Sequence, residues 1–301
     1  MDKCCGKLKK ASRALSRTDK SSPALRQYGG NLTMFRVKAL TPVSVCYLRK
    51  MIAMNIEALA SMIPVSGELA PLTAHLDYLR DIAQPCIEIS LLESVAPAPA
   101  ASRFGGVPMV PAGFAWPAHA VGPYRFLGQV NFGDISSPSA LPGTGMLSLF
   151  YAEDEDGVCF WGDPDFVVAY YWDDPEQLAQ FIGGDGDPVQ HSVAIDFKAG
   201  MSIPRHYELR NDWPFEHYSE EADRVLSALS PFAADDYLLG YPSFDSLAYD
   251  PTPEKDWVSL LTLVSHEALQ WCWQDGAKLM VFIHKDRLKE ADFSELRCDA
   301  G

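Results

Sequence analysis

The spacing of apolar residues changes along the chain, and this change constrains the fold more than any other feature. From Met51 to about Leu79, apolar residues recur at helical intervals broken by Pro64 and Gly67, which predicts two helices. After the Ala/Pro connector at 96–101, short aliphatic and aromatic runs alternate with Gly, Pro and Asp clusters, which predicts strands. The candidate strands are 86–92, 126–132, 146–151, 158–161, 167–172, 257–264, 269–273 and 279–284.

These patterns predict an α+β fold in which N-terminal helices are followed by β-sheet structure. A weak internal repeat also leaves open a two-fold duplication. In that repeat, 126–132 followed by 146–150 is similar to 258–264 followed by 279–283. We interpret residues 51–301 as a single domain.

Charge is distributed unevenly. Residues 1–50 hold 12 Lys and Arg against 2 acids, whereas residues 51–301 hold 13 against 38, a net charge of −25. We interpret 1–50 as a basic, disordered tail, or as translated sequence ahead of a start at Met51 or Met54. Its Ser-rich, acid-poor composition is also typical of an organelle transit peptide, so that alternative stays open.

The apolar runs and the cysteines indicate a cytoplasmic protein. No apolar run approaches the roughly 20 residues that a membrane-spanning helix needs. The 7 cysteines include no Cys-x-x-Cys pair, so we predict reduced thiols rather than disulfides or a zinc site.

Several motifs resemble the YwqG-like family, a bacterial family of domains of unknown function. The segment 102–108, Ser-Arg-Phe-Gly-Gly-Val-Pro, with Pro111 and the Trp116–Pro117 step resembles its opening signature. Further sequence segments that resemble the family follow in the order in which the family has them. The resemblance covers roughly residues 51–297. It implies an α+β fold with antiparallel sheet and no established activity. The settings of some members imply an immunity-type role.

The same motifs supply the candidate binding residues. Gly105 and Gly106 permit positive φ or close backbone approach, and Trp116 supplies a large plane for burial, which is a structural interpretation. The alternative interpretation is functional, with the backbone amides of Gly105 and Gly106 lining a ligand cleft. The candidate ligand- or partner-binding residues are Arg103, Gly105, Gly106, Trp116, Gln129, Trp273 and Asp275.

Motifs for catalysis or metal binding are incomplete. His266 and Glu267 lack a second histidine four residues on, because Gln270 stands there, so no zinc site is predicted. The acidic stretches 153–156 and 183–187 lack the ligand spacing of a calcium loop. We predict no cofactor, metal or catalytic residue, although His206 and His217 could act as acid or base.

Function is therefore predicted at the level of class. The leading hypothesis is a non-catalytic, protein-binding module of immunity or regulatory type whose partner is a basic protein. Acids alternate with aromatic residues at 163–174, which suits such a contact surface. Nucleic acid and membrane are not expected partners. The alternative is a small-molecule-binding hydrolase with a cleft near Arg103, Trp116, Gln129 and Asp275. The oligomeric state is left open.

Overall fold

A computed structural model describes residues 56–63, 67–137, 139–152, 161–182, 191–204, 219–230 and 233–301. Several of the sequence-based predictions lie outside these residues. They are the basic segment 1–50, nearly all of the strand at 158–161, the acidic stretches 153–156 and 183–187, His206 and His217. The domain boundary at residue 50 therefore stays a prediction.

Strands dominate the described residues. They are β1 (Gln84–Leu92), β2 (Arg103–Phe104), β3 (Met109–Val110), β4 (Ala118–His119), β5 (Gly122–Asn131), β6 (Met146–Ala152), β7 (Val167–Trp172), β8 (Ala179–Gln180), β9 (Val193–Ser202), β10 (Asp236–Leu239), β11 (Trp257–Val264), β12 (Lys278–His284) and β13 (Leu296–Ala300). The α-helices are α1 (Ile56–Met62), α2 (Leu76–Ile82), α3 (Glu220–Leu229) and α4 (Lys285–Lys289). Short 3-10 helices occupy Gly67–His75, Phe132–Asp134, Pro175–Gln177 and Glu267–Leu269.

One large antiparallel sheet organises the fold. Its strand order is β13-β12-β11-β10-β1-β9-β2-β5-β6-β7, with β4 paired to β5. The end strands β7 and β13 approach each other, and Cys298 Sγ in β13 lies 3.1 Å from the carbonyl oxygen of Trp161. The sheet therefore forms a nearly closed barrel. Strands β3 and β8 form a separate two-stranded sheet.

The predicted α+β class, with N-terminal helices followed by an antiparallel sheet, is wrong because the fold is mostly β. Helices α1 and α2 have 7 residues each, and Pro71 interrupts the segment between them. Strand β1, which follows them, lies in the middle of the sheet between β9 and β10. The buried faces of these helices pack with α3 in a cluster separate from the barrel core.

The strands that supply most of the barrel core are among those predicted from the sequence. Alternating residues of β1, such as Ile87 and Ile89, are buried in the core, and β5, β6, β11 and β12 contribute further apolar residues. The predicted strands at 86–92, 126–132, 146–151, 167–172, 257–264 and 279–284 are confirmed. The predicted strand at 269–273 is wrong, because that segment is a 3-10 turn followed by irregular chain.

The strand order is symmetric about the β1–β9 pair. Strands β2, β5, β6 and β7, here called the first half, lie on one side, and β10, β11, β12 and β13, the second half, lie on the other. The β5–β6 and β11–β12 pairs each contain one register shift, at Phe126/Gly128 and at Ser259/Leu261 respectively. Corresponding positions of the two halves can therefore be compared directly.

Candidate functional site

Arg103, on the short strand β2, is buried and uses its guanidinium on backbone carbonyls. It donates hydrogen bonds to the carbonyl oxygens of Pro99 at 2.5 Å, Ala101 at 3.4 Å and Val107. Burial lowers the pKa of Arg103 to about 10. The side chain therefore fastens the connector before β2 to the turn after it.

Gln129 of β5 is the cross-strand partner of Arg103 and is fully buried. Its Nε2 donates to the carbonyl oxygens of Pro99 at 3.0 Å and Ala101 at 2.9 Å, and its Oε1 accepts from the amide of Met109 at 3.1 Å. Arg103 and Gln129 therefore lie together, and both side chains hold the same loop. Their polar atoms are used within the chain.

Gly105 and Gly106 form a left-handed turn after β2, with φ of 64° and 76°. A Cβ on Gly105 would lie 2.2 Å from the carbonyl oxygen of His191, and one on Gly106 would lie 2.8 Å from Ser192. Close backbone approach therefore explains this glycine pair, because no larger residue fits at position 105 without moving the main chain.

The two candidate tryptophans lie in different places. Trp116 is half-buried, donates from Nε1 to the carbonyl oxygen of Tyr124 at 2.8 Å and packs edge-on against Phe150. Trp273 lies in the barrel core, 2% exposed, and donates to the carbonyl oxygen of Val264 at 3.2 Å. Each ring is anchored by one hydrogen bond to the main chain.

Asp275 is exposed in the turn that leads into β12, on a different connection from Arg103 and Gln129. The preceding residue, Gln274, has φ of 47°, which is left-handed. Gln274 thus adopts a conformation that glycine usually occupies. The candidates divide among the β2 turn, the barrel core, the half-buried position of Trp116 and this loop.

A cluster of half-buried rings lies beside the edge of the first half. We call it the aromatic face and define it as Phe114, Trp116, Tyr170, Trp172 and Phe181. Tyr170 and Trp172 of β7 stack at 5.8 Å between ring centroids with an interplanar angle of 5°. Phe114 meets both edge-on, at 5.1 and 5.9 Å, so the rings hold one another in fixed orientations.

Acidic residues flank β7 in the sequence. Asp173 and Asp174 follow Trp172 directly and are exposed, and Asp163 and Asp165 precede β7. The charge of Asp173 acts on Tyr171, which alternates with Tyr170 and Trp172 along the strand. Burial raises the pKa of Tyr170.

Comparison with known families assigns this domain. Residues 102–300 match the domain of unknown function DUF1963. The chain belongs to the DUF1963 family. No curated protein matches it. The DUF1963 match covers the β2 turn, the aromatic face and both halves of the sheet, but it begins after β1.

The DUF1963 domain also contains an ion pair that the sequence did not reveal. His266 Nε2 lies 2.6 Å from Oδ2 of the buried Asp236, whose Oδ1 accepts from the amide of Val264 at 2.9 Å. Burial opposes charge on His266, but the hydrogen bond and the charges of Asp236, Asp235 and Glu93 outweigh it and raise the pKa of His266. The residues are 30 positions apart, so no local motif could have paired them.

Two further properties follow from the described part of the DUF1963 chain. Within it, no three His, Cys, Asp or Glu side chains come together to hold a metal ion. No helix in the same residues is long and apolar enough to cross a bilayer.

Proposed function

We propose that this DUF1963 protein is a non-catalytic binding module, of immunity or regulatory type, that recognises a basic protein through its aromatic face. The observation that carries the proposal is the stacked, half-buried pair Tyr170 and Trp172, which exposed Asp173 and Asp174 follow in the sequence. Tyrosine and tryptophan dominate the binding energy of many protein interfaces because they bury large area with little entropy loss. The narrower assignment to bacterial YwqG-like proteins belongs to this proposal.

Electrostatics favours a basic partner over nucleic acid. Residues 51–301 carry a net charge of −25, which would repel phosphate and attract cationic protein surface. The charges would accelerate encounter, while the ordered rings would supply short-range affinity.

The hydrolase alternative has less support. The donors of Arg103 and Gln129 are used on the 98–101 carbonyls, so they are not free to bind substrate. Asp275 lies on another loop, and Trp116 packs in the aromatic face.

Affinity capture from the source cell tests the proposal with three baits. They are the wild-type chain, Trp172→Ala and the matched control Trp257→Ala. Trp257 is also half-buried, but it lies in the second half, 6.1 Å from the His284 ring and 5.9 Å from Arg297. We expect one basic protein to be retained by wild type and by Trp257→Ala and to be lost with Trp172→Ala.

Binding kinetics then separate the contribution of the charges from that of the aromatic rings. The association rate should fall between low and physiological salt, because the Debye length shortens to about 8 Å. Trp172→Ala should act mainly on the dissociation rate. An acidic partner, or equal loss of binding in both variants at unchanged melting temperature, would reject the proposal.

A further inference from the structure

A cavity of about 360 Å³ lies at one end of the barrel, where β10 leaves the sheet. Leu239 and Gly240 turn the chain away with φ of 63° and 76°, and this opens space between β1 and β11. The walls are Gln84–Ile87 of β1, Val258–Ser259 of β11, and α4. The volume falls in the range of roughly 300–1,000 Å³ that is typical of small-molecule sites.

The corresponding position in the first half shows why the cavity exists. There, Leu269 lies 3.3 Å from the point where a Cβ of Gly105 would be, and Trp271 packs 5.2 Å from Phe104. Both side chains come from the β11–β12 connection and are buried. The β5–β6 connection instead brings the small residues Ser139 and Ala140 to the second-half cavity. Small residues leave unfilled the space that Leu269 and Trp271 fill in the first half.

The cavity wall is mostly apolar. Ile87, Leu239, Val258 and Leu288 supply apolar side chains. Ser259 also borders the cavity, but it pairs across the sheet with Phe282 and its side chain lies on the other face of β11 from Val258. Apolar contact therefore comes from the side chains that face the barrel core.

Two lysines of α4 complete the lining. Lys285 pairs with Asp256, and Lys289 Nζ lies 2.8 Å from Asp286 Oδ1, but neither carboxylate lines the cavity. An ammonium group has three donors, so each lysine keeps donors for a second acceptor. The lining thus contains two cationic side chains and no acid.

We propose that this cavity binds a small amphipathic carboxylate. Its apolar body lies against Ile87, Val258 and Leu288, and its carboxylate accepts from Lys285 and Lys289. The site is independent of the aromatic face, so either proposal can fail without the other.

Octanoate is the probe, with octan-1-ol and octylammonium as ligands that share its chain but not its charge. Calorimetry on the full chain gives the affinities, and methyl NMR shifts locate the ligand. We expect octanoate to bind most tightly and to shift the methyl groups of Ile87, Val258 and Leu288.

Variants separate the head group from the cavity. Lys285→Gln with Lys289→Gln should weaken octanoate about tenfold, because two charge-assisted hydrogen bonds are lost, and leave octan-1-ol unchanged. Lys255→Gln is the matched control, since Lys255 is exposed and does not line the cavity. Ala140→Trp, at an exposed lining residue, should weaken all ligands by filling the space.

Three results would overturn the proposal. The first is the absence of saturable octanoate binding at millimolar concentration. The second is octylammonium binding as tightly as octanoate. The third is methyl shifts confined to Leu226 and Leu229, which line a different cavity of about 250 Å³ beside α3.

Discussion

The two halves of the sheet build the same turn with different side chains. After β2, Gly105 and Gly106 have φ of 64° and 76°, and in the second half Leu239 and Gly240 have 63° and 76°. In the first half the Arg103 guanidinium donates to the carbonyl oxygen four residues on. In the second half the hydroxyl of Tyr237 does the same, at 2.7 Å to Tyr241.

A second hydrogen-bonding unit is also shared. Ser102 Oγ accepts from the Asn131 amide at 2.8 Å and lies 2.8 Å from Asp134 Oδ2. In the second half, Asp236 accepts from the Val264 amide and contacts His266. The carboxylate of this unit therefore comes from Asp134, after β5, in the first half and from Asp236, at the start of β10, in the second half.

Comparison of the two turns shows which of their features the backbone conformation requires. Left-handed φ and a bonded carbonyl occur in both halves, so they belong to the turn itself. Glycine at position 105, by contrast, is required by its neighbour, because Leu239 bears a side chain at nearly the same φ. The following predictions test this comparison.

Gly105→Ala should have the largest effect, a loss of about 3 kcal/mol or more in the free energy of unfolding. Its Cβ would add a clash with the His191 carbonyl to the strain of a left-handed residue. Gly113→Ala is the control, because Gly113 has φ of 80° and nothing within 4 Å of a Cβ, so about 1–2 kcal/mol of strain remains. Urea unfolding measures both, and equal losses would mean that the approach to His191 is unimportant.

Arg103→Lys should come next, at about 2–3 kcal/mol, because one ammonium cannot reach all the carbonyls that the guanidinium bonds. The corresponding change, Tyr237→Phe, removes one neutral hydrogen bond and should lose about 1 kcal/mol. Chemical denaturation of the pair compares the halves. Similar losses would show that Arg103 serves only the turn and not the 98–101 connector.

His266→Gln should have the smallest effect and should change the pH dependence of stability. Because the pKa of His266 is raised in the folded state, its stabilisation is full below about pH 6.5 and is lost as pH rises through the folded pKa. The melting temperature of His266→Gln should therefore vary less than that of wild type across that window. Ser102→Ala, which alters the matching unit without removing an ionisable group, should keep the wild-type slope.

Local pattern in the sequence was enough to predict six of the thirteen strands in the described residues. The β5–β6 and β11–β12 hairpins join strands close in sequence, and their alternation shows which face is buried. The position of β1 was not predictable in the same way. It pairs with β9 more than 100 residues later, and nothing in either strand specifies that partner. The balance of helix and sheet was misjudged because helical spacing at 51–79 produced only short helices.

For the candidate site, the sequence suggested residues but did not show what their side chains contact. Arg103 and Gln129 lie together as cross-strand partners. Both side chains donate to backbone carbonyls of a Pro-rich connector, and backbone carbonyls carry no sequence signature. The sequence therefore could not show whether these side chains line a ligand cleft or hold the connector in place. Tyr170 and Trp172 lie in the aromatic face, whereas Tyr151 is buried against Trp273 in the barrel.

The location of β1 determines how this domain can be expressed. A fragment limited to the family-matched residues 102–300 would lack β1 and would leave β9 and β10 as two adjoining unpaired edges in the middle of the sheet. Exposed edges of this kind recruit strands from other chains, so such a fragment should aggregate or exchange strands between copies. Adding a peptide with the sequence of Gln84–Leu92 should restore the monomer by donating the missing strand, and size-exclusion chromatography would detect the change.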